Sequence, residues 1–377
     1  MNPNPSIPLA RPWFGDEEAA AVQRVLASGW VVQGPEVARF EQAVGALHQL
    51  PHSVAVSSAT AGLHLMYVAL GIGPGDVVLV PSFAWPSAAN MAACVGAVPF
   101  FVDVDPLTAN MTADTLRRGL QLARKSGLGK PRVVVVVHEF GLPAPIEDLL
   151  AVARAEGLMV LEDAACALGA SHNGQPLGHF GLATVFSFHP RKSVSTGEGG
   201  VVVTNEAALA DALRSLRNHG QEMRDGGRDF TRAGFNYRLT EIQGAVGVEQ
   251  LKRLPGILEI RRRLAARYLK ELTGLTGLCL PASHPEHTWQ TFMVTLDSPA
   301  RRDHVQATCG THGIETGPGS VAGHLGAVWG QRFHEPEDQC PVSTRLARCG
   351  LALPLHARLT DEDLDRVVAA VRKAMQH

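Results

Sequence analysis

Asp163 in EDAACALGA (162–170) and Lys192 in FSFHPRKSVSTGEGG (186–200) are 29 positions apart, and each falls where an apolar run gives way to small and polar residues. A carboxylate ending one strand and an amine just past another suit pyridoxal phosphate chemistry. The lysine would hold the cofactor aldehyde as a Schiff base, and the carboxylate would keep the pyridine nitrogen protonated so that the ring accepts a carbanion's electrons. Such a lysine must be neutral to attack, which a partly desolvated site beside a cationic ring favours. Taken alone, a loop lysine is a solvated charge and a strand-ending aspartate is a helix cap. The pair and its setting of Ser193, Ser195, Thr196, Gly197, Gly199 and Gly200 favour the functional reading. Glu162 should point to the other side of its strand, because side chains alternate, which leaves Asp163 as the better carboxylate.

Further residues suit the same ligand. SSATAGLHL (57–65) places hydroxyl and small residues at a strand-to-helix junction, where free backbone N–H groups and the helix dipole favour a phosphate, with Thr60 and Ala61 as first-turn contacts. Ordinary helix capping by Ser58 or Thr60 accounts for the same residues, and both readings can hold together. Trp85 in PSFAWPSAAN (81–90) follows a strand and can stack on a pyridine ring or fill a core. Ser187 ends a strand and either donates to phosphate or satisfies local backbone. Cys166, three residues beyond Asp163, reads by itself as a structural thiol. Arg191, next to Lys192, either assists it or binds substrate phosphate. In GFNYRLTEIQ (234–243), Asn236 and Arg238 precede a long helical stretch, where an amide and a guanidinium can bind phosphate or carboxylate.

The elements that must position these residues can also be read. Seven short apolar runs occur before residue 206, at 54–58, 77–81, 98–104, 132–138, 158–163, 184–188 and 200–205. Their continuous apolarity suits strands buried on both faces. Helical segments at 60–70, 113–125 and 146–156 alternate with them, as in a mainly parallel sheet covered on both sides, so functional residues should gather at the strands' carboxyl ends. A helical stretch over about 239–267 bridges to a smaller α+β part with a strand at 291–297 and a final helix after Thr360, and Pro255 marks a kink or break in the bridge. Thr360 with Asp363 forms a capping box. Residues 1–250 are expected to form a large cofactor-binding domain and residues 251–377 a smaller C-terminal domain.

Composition narrows the function classes. A net charge of −2 over 377 residues supplies no field that would draw nucleic acid or an anionic membrane. The six cysteines lack C-x-x-C spacing, which argues against a disulfide framework or zinc site and suits a reducing cytoplasm. The first residues lack a secretory pattern, and no apolar run reaches membrane-spanning length. Dinucleotide and P-loop glycine motifs are missing, and His284 and His287 read as surface histidines rather than metal ligands.

With these motifs together, the chain resembles the DegT/DnrJ/StrS family of pyridoxal phosphate-dependent sugar aminotransferases over nearly its whole length. IPLARPWFGDEE, SGWVVQGP (28–35), PSFAWPSAAN, VDVDP (102–106), EDAACALGA, FSFHPRKSVSTGEGG, GFNYRLTEIQ and LPLHARLTDEDLDRVV (353–368) carry the resemblance in order. It implies the three-layer transferase fold of type I: a seven-stranded, mostly parallel sheet, a smaller α+β C-terminal domain, and a homodimer with shared active sites. It also implies that Lys192 is the Schiff-base lysine and Asp163 the pyridinium partner, with Thr60, Ala61 and Ser187 as phosphate contacts and Trp85 as the stacking aromatic. Asn236 would be a phosphate ligand given by the neighbouring chain, and the loop carrying Trp30 and Gln33 would approach the partner's site. Trp30, Gln33, His189, Arg191, Arg238 and His324 are then the expected substrate contacts. Two departures stand out. Cys166 occupies a position where the family often has Gln or His in polar contact with the cofactor's hydroxyl. The segment TGPGSVAGHLG (316–326) differs from the TGVHY type that helps shape the sugar site in many members. The activity implied is transfer of an amino group from L-glutamate to a nucleotide-linked keto sugar. The rivals are sugar dehydration or deoxygenation on the same scaffold and a non-catalytic regulatory role. Relatives that dehydrate without a Schiff-base lysine carry His there, whereas this chain keeps Lys192.

Overall fold

The computed structural model describes residues 5–330 and 339–376. Each of the seven apolar runs forms a strand: β1 (His52–Val56), β2 (Asp76–Pro81), β3 (Val98–Val102), β4 (Lys130–Val137), β5 (Met159–Asp163), β6 (Ala183–Ser187) and β7 (Gly200–Thr204). They make one sheet in the order β1-β7-β6-β5-β4-β2-β3. Alternation along a single strand explains the layers. Val133 and Val135 of β4 join one apolar cluster with helices Ala59–Ala69, Ser87–Cys94 and Ala207–Arg217, while Val134 and Val136 join another with helices Ala113–Ser126 and Ile146–Glu156. Two-sided burial is why these runs carry no polar alternation.

Within this sheet β7 alone runs against its neighbours, pairing antiparallel with both β1 and β6. A parallel return needs a crossover, usually a helix, and residues 188–199 between β6 and β7 contain none. The chain therefore reverses at the sheet's carboxyl edge, and the reversal is the loop that carries Lys192.

A second apolar cluster gathers Phe292, Val294, Leu351, Leu353, Val367 and Val371 around a three-stranded antiparallel sheet of β8 (Leu278–Cys279), β9 (Phe292–Leu296) and β10 (Gly350–Leu353). Helices Pro299–Thr311 and Asp361–Ala374 cover it, the latter started by the expected capping box: Thr360 Oγ1 accepts from Asp363 N at 3.1 Å and Thr360 N donates to Asp363 Oδ2 at 3.3 Å. The bridge is one helix, Glu241–Leu272, which runs on through Pro255, so of the expected kink or break the break does not occur. Leu254, Ile257 and Leu258 pack with the large sheet's layers, and Leu264, Ala265, Tyr268 and Leu272 pack with the small sheet. The expected division at 250/251 falls inside this helix.

Two buried groups in the small part escape sequence inspection. Arg261 donates through Nη1 to the carbonyls of Trp289, Gln290 and Leu355 at 3.0, 3.0 and 2.9 Å, so its charge is met by backbone dipoles. His287 is not on the surface as expected: it is buried, stacks on Trp289 with ring centroids 3.8 Å apart, and accepts from Trp289 N at 3.0 Å. Burial pulls its pKa down to about 3. His284 does remain at the surface, half exposed. Among the described residues no helix is long and apolar enough to cross a membrane and no metal-binding cluster occurs.

Candidate active site

Asp163 ends β5 in register with Val137 of β4, and its backbone carbonyl accepts from His138 N at 3.0 Å. Its Oδ1 accepts from Ala165 N at 3.0 Å, a local turn contact and not the helix cap of the alternative reading, since no helix follows β5 before residue 171. The rest of the carboxylate lines a cavity of about 460 Å³ at the strands' carboxyl ends. Burial pushes Asp163 above its usual value, against the Ala165 N–H, Lys192 and His138. Glu162 points the other way, as alternation requires. It accepts from Gly181 N at 2.8 Å and Thr184 Oγ1 at 2.9 Å, and lies 3.0 Å from His138 Nε2. Ala144 N donates to His138 Nδ1 at 3.0 Å, so Nε2 carries the proton given to Glu162. Burial would raise Glu162, but these donors hold it below the usual carboxylate range.

Lys192 is held in a loop with few degrees of freedom. Phe188 N donates to Gly199 O at 2.9 Å, Ser195 Oγ and Thr196 N both donate to Phe188 O at 3.0 Å, and buried Val194 anchors the loop in the core. From this loop Nζ reaches into the same cavity and donates to Cys166 Sγ at 3.1 Å. Burial keeps Cys166 as the neutral thiol. The expectation of a lysine eased toward neutrality is not met here. Burial works in that direction, but the hydrogen bond to Cys166 and the charge of Asp163 outweigh it and hold the Lys192 ammonium above its usual value.

The start of helix Ala59–Ala69 forms the next wall. Ser58 is its cap, its Oγ accepting from Ala61 N at 3.1 Å, and Thr60 Oγ1 faces Ser87 Oγ at 3.0 Å. Ser58, Ala59, Thr60 and Ser187 line the cavity, whereas Ala61 lies one step behind that lining. Gly200 makes this approach possible, since a Cβ there would sit 2.6 Å from Ala59 N. Trp85 stands at the mouth with 66% of its surface exposed, which settles the core alternative against itself. His189 and Arg191 border the cavity too, and Gln290 of the small part donates to Arg191 O at 2.8 Å.

Other expected residues lie apart. Asn236 is exposed and its neighbour Arg238 donates through Nη1 to Asn218 Oδ1 at 2.7 Å, so neither lines its own chain's cavity. Trp30 is exposed, and its loop is pinned by Glu241, whose carboxylate accepts from the backbone N–H groups of Gly34, Glu36 and Val37 at 2.8, 2.8 and 2.9 Å. Gln33 Oε1 is buried without a hydrogen-bond partner among the described residues. His324 is not presented to the cavity: it is fully buried, between Ser82 Oγ on Nδ1 and Thr344 Oγ1, 3.1 Å away, on Nε2. Sequence inspection missed Glu139, Gln290 and Ser320. Glu139 had a usable signal, since it follows the β4 run directly. Gln290 and Ser320 come from the distant part of the chain and had none.

A carboxylate, an amine, a free flat indole and a helix start gathered around one cavity fit pyridoxal phosphate: an anion for its ring nitrogen, an amine for its aldehyde and N–H groups for its phosphate. Mostly parallel order with one reversed strand at the site is the architecture of fold-type I pyridoxal phosphate aminotransferases, the class to which this fold corresponds. Among solved structures, an aminotransferase from Brucella abortus aligns with 34% identity over 96% of each chain at a TM-score of 0.89. The aminotransferase TlmJ from Streptoalloteichus hindustanus aligns with 33% identity over 98% of this chain and 99% of its own, also at 0.89. DesV of S. venezuelae aligns with 32% identity over 99% of this chain and 100% of its own at 0.90. The chain belongs to the DegT/DnrJ/EryC1/StrS aminotransferase family, which it matches over residues 12–372. Aminotransferases of this family depend on pyridoxal phosphate.

Proposed function

We propose that this aminotransferase moves the amino group of L-glutamate to a keto sugar carried on a nucleotide. The carrying observation is the convergence of Asp163, Lys192 and the Ser58–Thr60 helix start on one cavity. Bound pyridoxal phosphate would supply an aldehyde that condenses with amines and a protonated ring that accepts an electron pair from the adjacent carbon. Lys192 Nζ holds the cofactor between turnovers. The same nitrogen, as a free amine, would take and return the proton at the substrate carbon. Asp163 keeps a proton on the ring nitrogen, and Trp85 covers a ring face. Thr60, Ala61 and Ser187 hold the phosphate, with Ala61 offering backbone N–H only if it leaves Ser58.

Asn236 lies outside its own chain's cavity, which supports a homodimer in which it reaches the phosphate of the second copy, with Trp30 and Gln33 approaching that copy's substrate. His189 and Arg191, which border the cavity, would meet substrate phosphate or the donor carboxylate, and Arg238, outside its own chain's cavity, would do so from the second copy. The six free thiols fit a reducing cytoplasm. The test is loss of the roughly 430 nm band of loaded enzyme on adding L-glutamate. Nucleotide-linked 3-keto and 4-keto sugars are then supplied and product masses read. A band that glutamate bleaches, with no sugar in the panel aminated, would sink the sugar assignment and leave the aminotransferase standing.

A further inference from the structure

We propose that the Glu139 carboxyl is the polar partner of the cofactor's ring hydroxyl in this chain, at the edge of the site where Cys166 offers only a thiol. The inference rests on the pyridoxal phosphate reading above and deepens it. Strand order supplies its geometry. Asp163 ends β5; to one side lie β6 with Ser187, then β7, then β1, which leads into the helix start at Ser58 and Thr60. To the other side lies β4, and Glu139 follows its last residues. In pyridoxal phosphate the ring nitrogen and the aldehyde carbon are at opposite ends of the ring, with the phosphate arm along one edge and the hydroxyl along the other. Asp163 and Lys192 fix the two ends, and the Ser187 and Thr60 side takes the phosphate. The remaining edge faces Glu139.

The backbone around Glu139 is built to aim it there. Glu139 N donates to Asn110 Oδ1 at 2.8 Å, and the next residue, Phe140, adopts a left-handed conformation with φ 58° and ψ 6°. A bulky residue in that region costs on the order of 1 kcal/mol or more and persists only when its surroundings impose it. Gly141 completes the turn at φ 91°, where a Cβ would lie 2.8 Å from Cys166 O, so the turn is pressed against the Cys166 backbone.

The carboxyl is buried and lines the same cavity as Lys192 and Asp163. Burial and Asp163 push its pKa up to about 8, against Lys192 and a hydrogen bond with Ser320. At neutral pH it is therefore a neutral acid with an O–H to give. The charged or titratable groups facing it are Lys192, Asp163 and Cys166 inside the cavity and His189, Arg191 and Glu198 around its rim. Behind the turn, His287 and Cys279 border a small second cavity that Glu139 also touches.

A donor to the ring hydroxyl stabilises its ionised form and lowers the pH at which the loaded chromophore gives up its proton. Wild type, Glu139→Gln and Glu139→Leu are loaded with pyridoxal phosphate, and the visible band is titrated from about pH 5 to about 10 while cofactor dissociation constants are measured. Glu139→Leu should raise the midpoint by about one unit and weaken binding about ten-fold, the usual effect of losing one hydrogen bond to a charged group. Glu139→Gln, which keeps an N–H donor, should remain close to wild type in both readouts. A Glu139→Leu titration indistinguishable from wild type overturns the proposal. So does a lowered midpoint in both variants, which would mark an ionised carboxylate stabilising the cation. If Glu139→Leu does not fold, Glu139→Ala takes its place. Absence of any visible band in wild type, with no borohydride-fixed cofactor on Lys192, would instead bring down the pyridoxal phosphate reading on which the proposal stands.

Discussion

Lys192 Nζ donates a 3.1 Å hydrogen bond to Cys166 Sγ, joining the loop between β6 and β7 to the turn after β5. The amine is thereby directed into the cavity rather than toward solvent. Lys192→Ala should abolish the visible band and lower turnover by roughly three orders of magnitude or more. Absorbance spectra and initial rates check this, and a variant that turned over at a tenth of the wild-type rate would remove Lys192 from the chemistry.

The adjacent carboxylates Glu162 and Asp163 should separate stability from function. Glu162 is buried beneath His138, Thr184 and Gly181, so Glu162→Ala leaves three donors without their acceptor and should cost about 2–4 kcal/mol in a denaturant titration. Asp163→Asn removes a buried charge whose pKa is already raised, so folding should hold while turnover falls by about 100-fold or more. Equal stability losses in the two variants would contradict the assignment.

Arg261 is the strut behind Gln290, and Gln290 in turn holds the Lys192 loop through Arg191 O. Arg261→Met should orphan three carbonyls and destabilise the protein by about 2–4 kcal/mol. It should also raise KM more than it lowers kcat, because the cavity wall moves while Lys192 and Asp163 remain. An unfolding midpoint equal to wild type would show that water replaces the guanidinium.

Two sets of buried groups should pull the pH dependence of stability in opposite directions. Burial holds His48 down to about 4, His287 to about 3 and His356 to about 4, each from an ordinary 6.5. The unfolded chain takes up these protons first, so stability is present above about pH 6.5 and is lost as the pH falls toward those values. Glu139 behaves oppositely. Its pKa rises from 4.5 to about 8, so the folded state keeps a proton that the unfolded chain releases, and stability declines as the pH rises through that interval. Thermal midpoints against pH check both contributions, and Glu139→Gln should remove the decline between about pH 4.5 and 8.

Loss of the Trp85 ring should weaken cofactor binding about ten-fold in Trp85→Ala and far less in Trp85→Phe. Its exposed position means that folding should be unaffected in either variant. A dissociation constant unchanged in Trp85→Ala would leave the indole a mouth residue with no contact to the ring.

The amino-acid sequence by itself determined the seven strands, because runs buried on both faces admit few polar residues, and it marked Asp163 and Lys192 because strand ends and small-residue loops are local features. Family resemblance added the class of chemistry. What it missed depended on distance along the chain. The reversal of β7 depends on the lack of a helix between β6 and β7, while the placing of Gln290 and Ser320 beside Lys192 depends on how the small part folds back. His324 and His287 look polar in one dimension, but the surrounding core takes both into its interior. Glu139 makes the same point most sharply. An acid after an apolar strand is legible in sequence as a strand-end carboxylate, but only tertiary structure, by surrounding it with protein and setting it beside another carboxylate, raises its pKa at the site. Burial and through-space charge are sums over neighbours that a linear chain does not list, whereas periodicity and strand termini are written in adjacent residues.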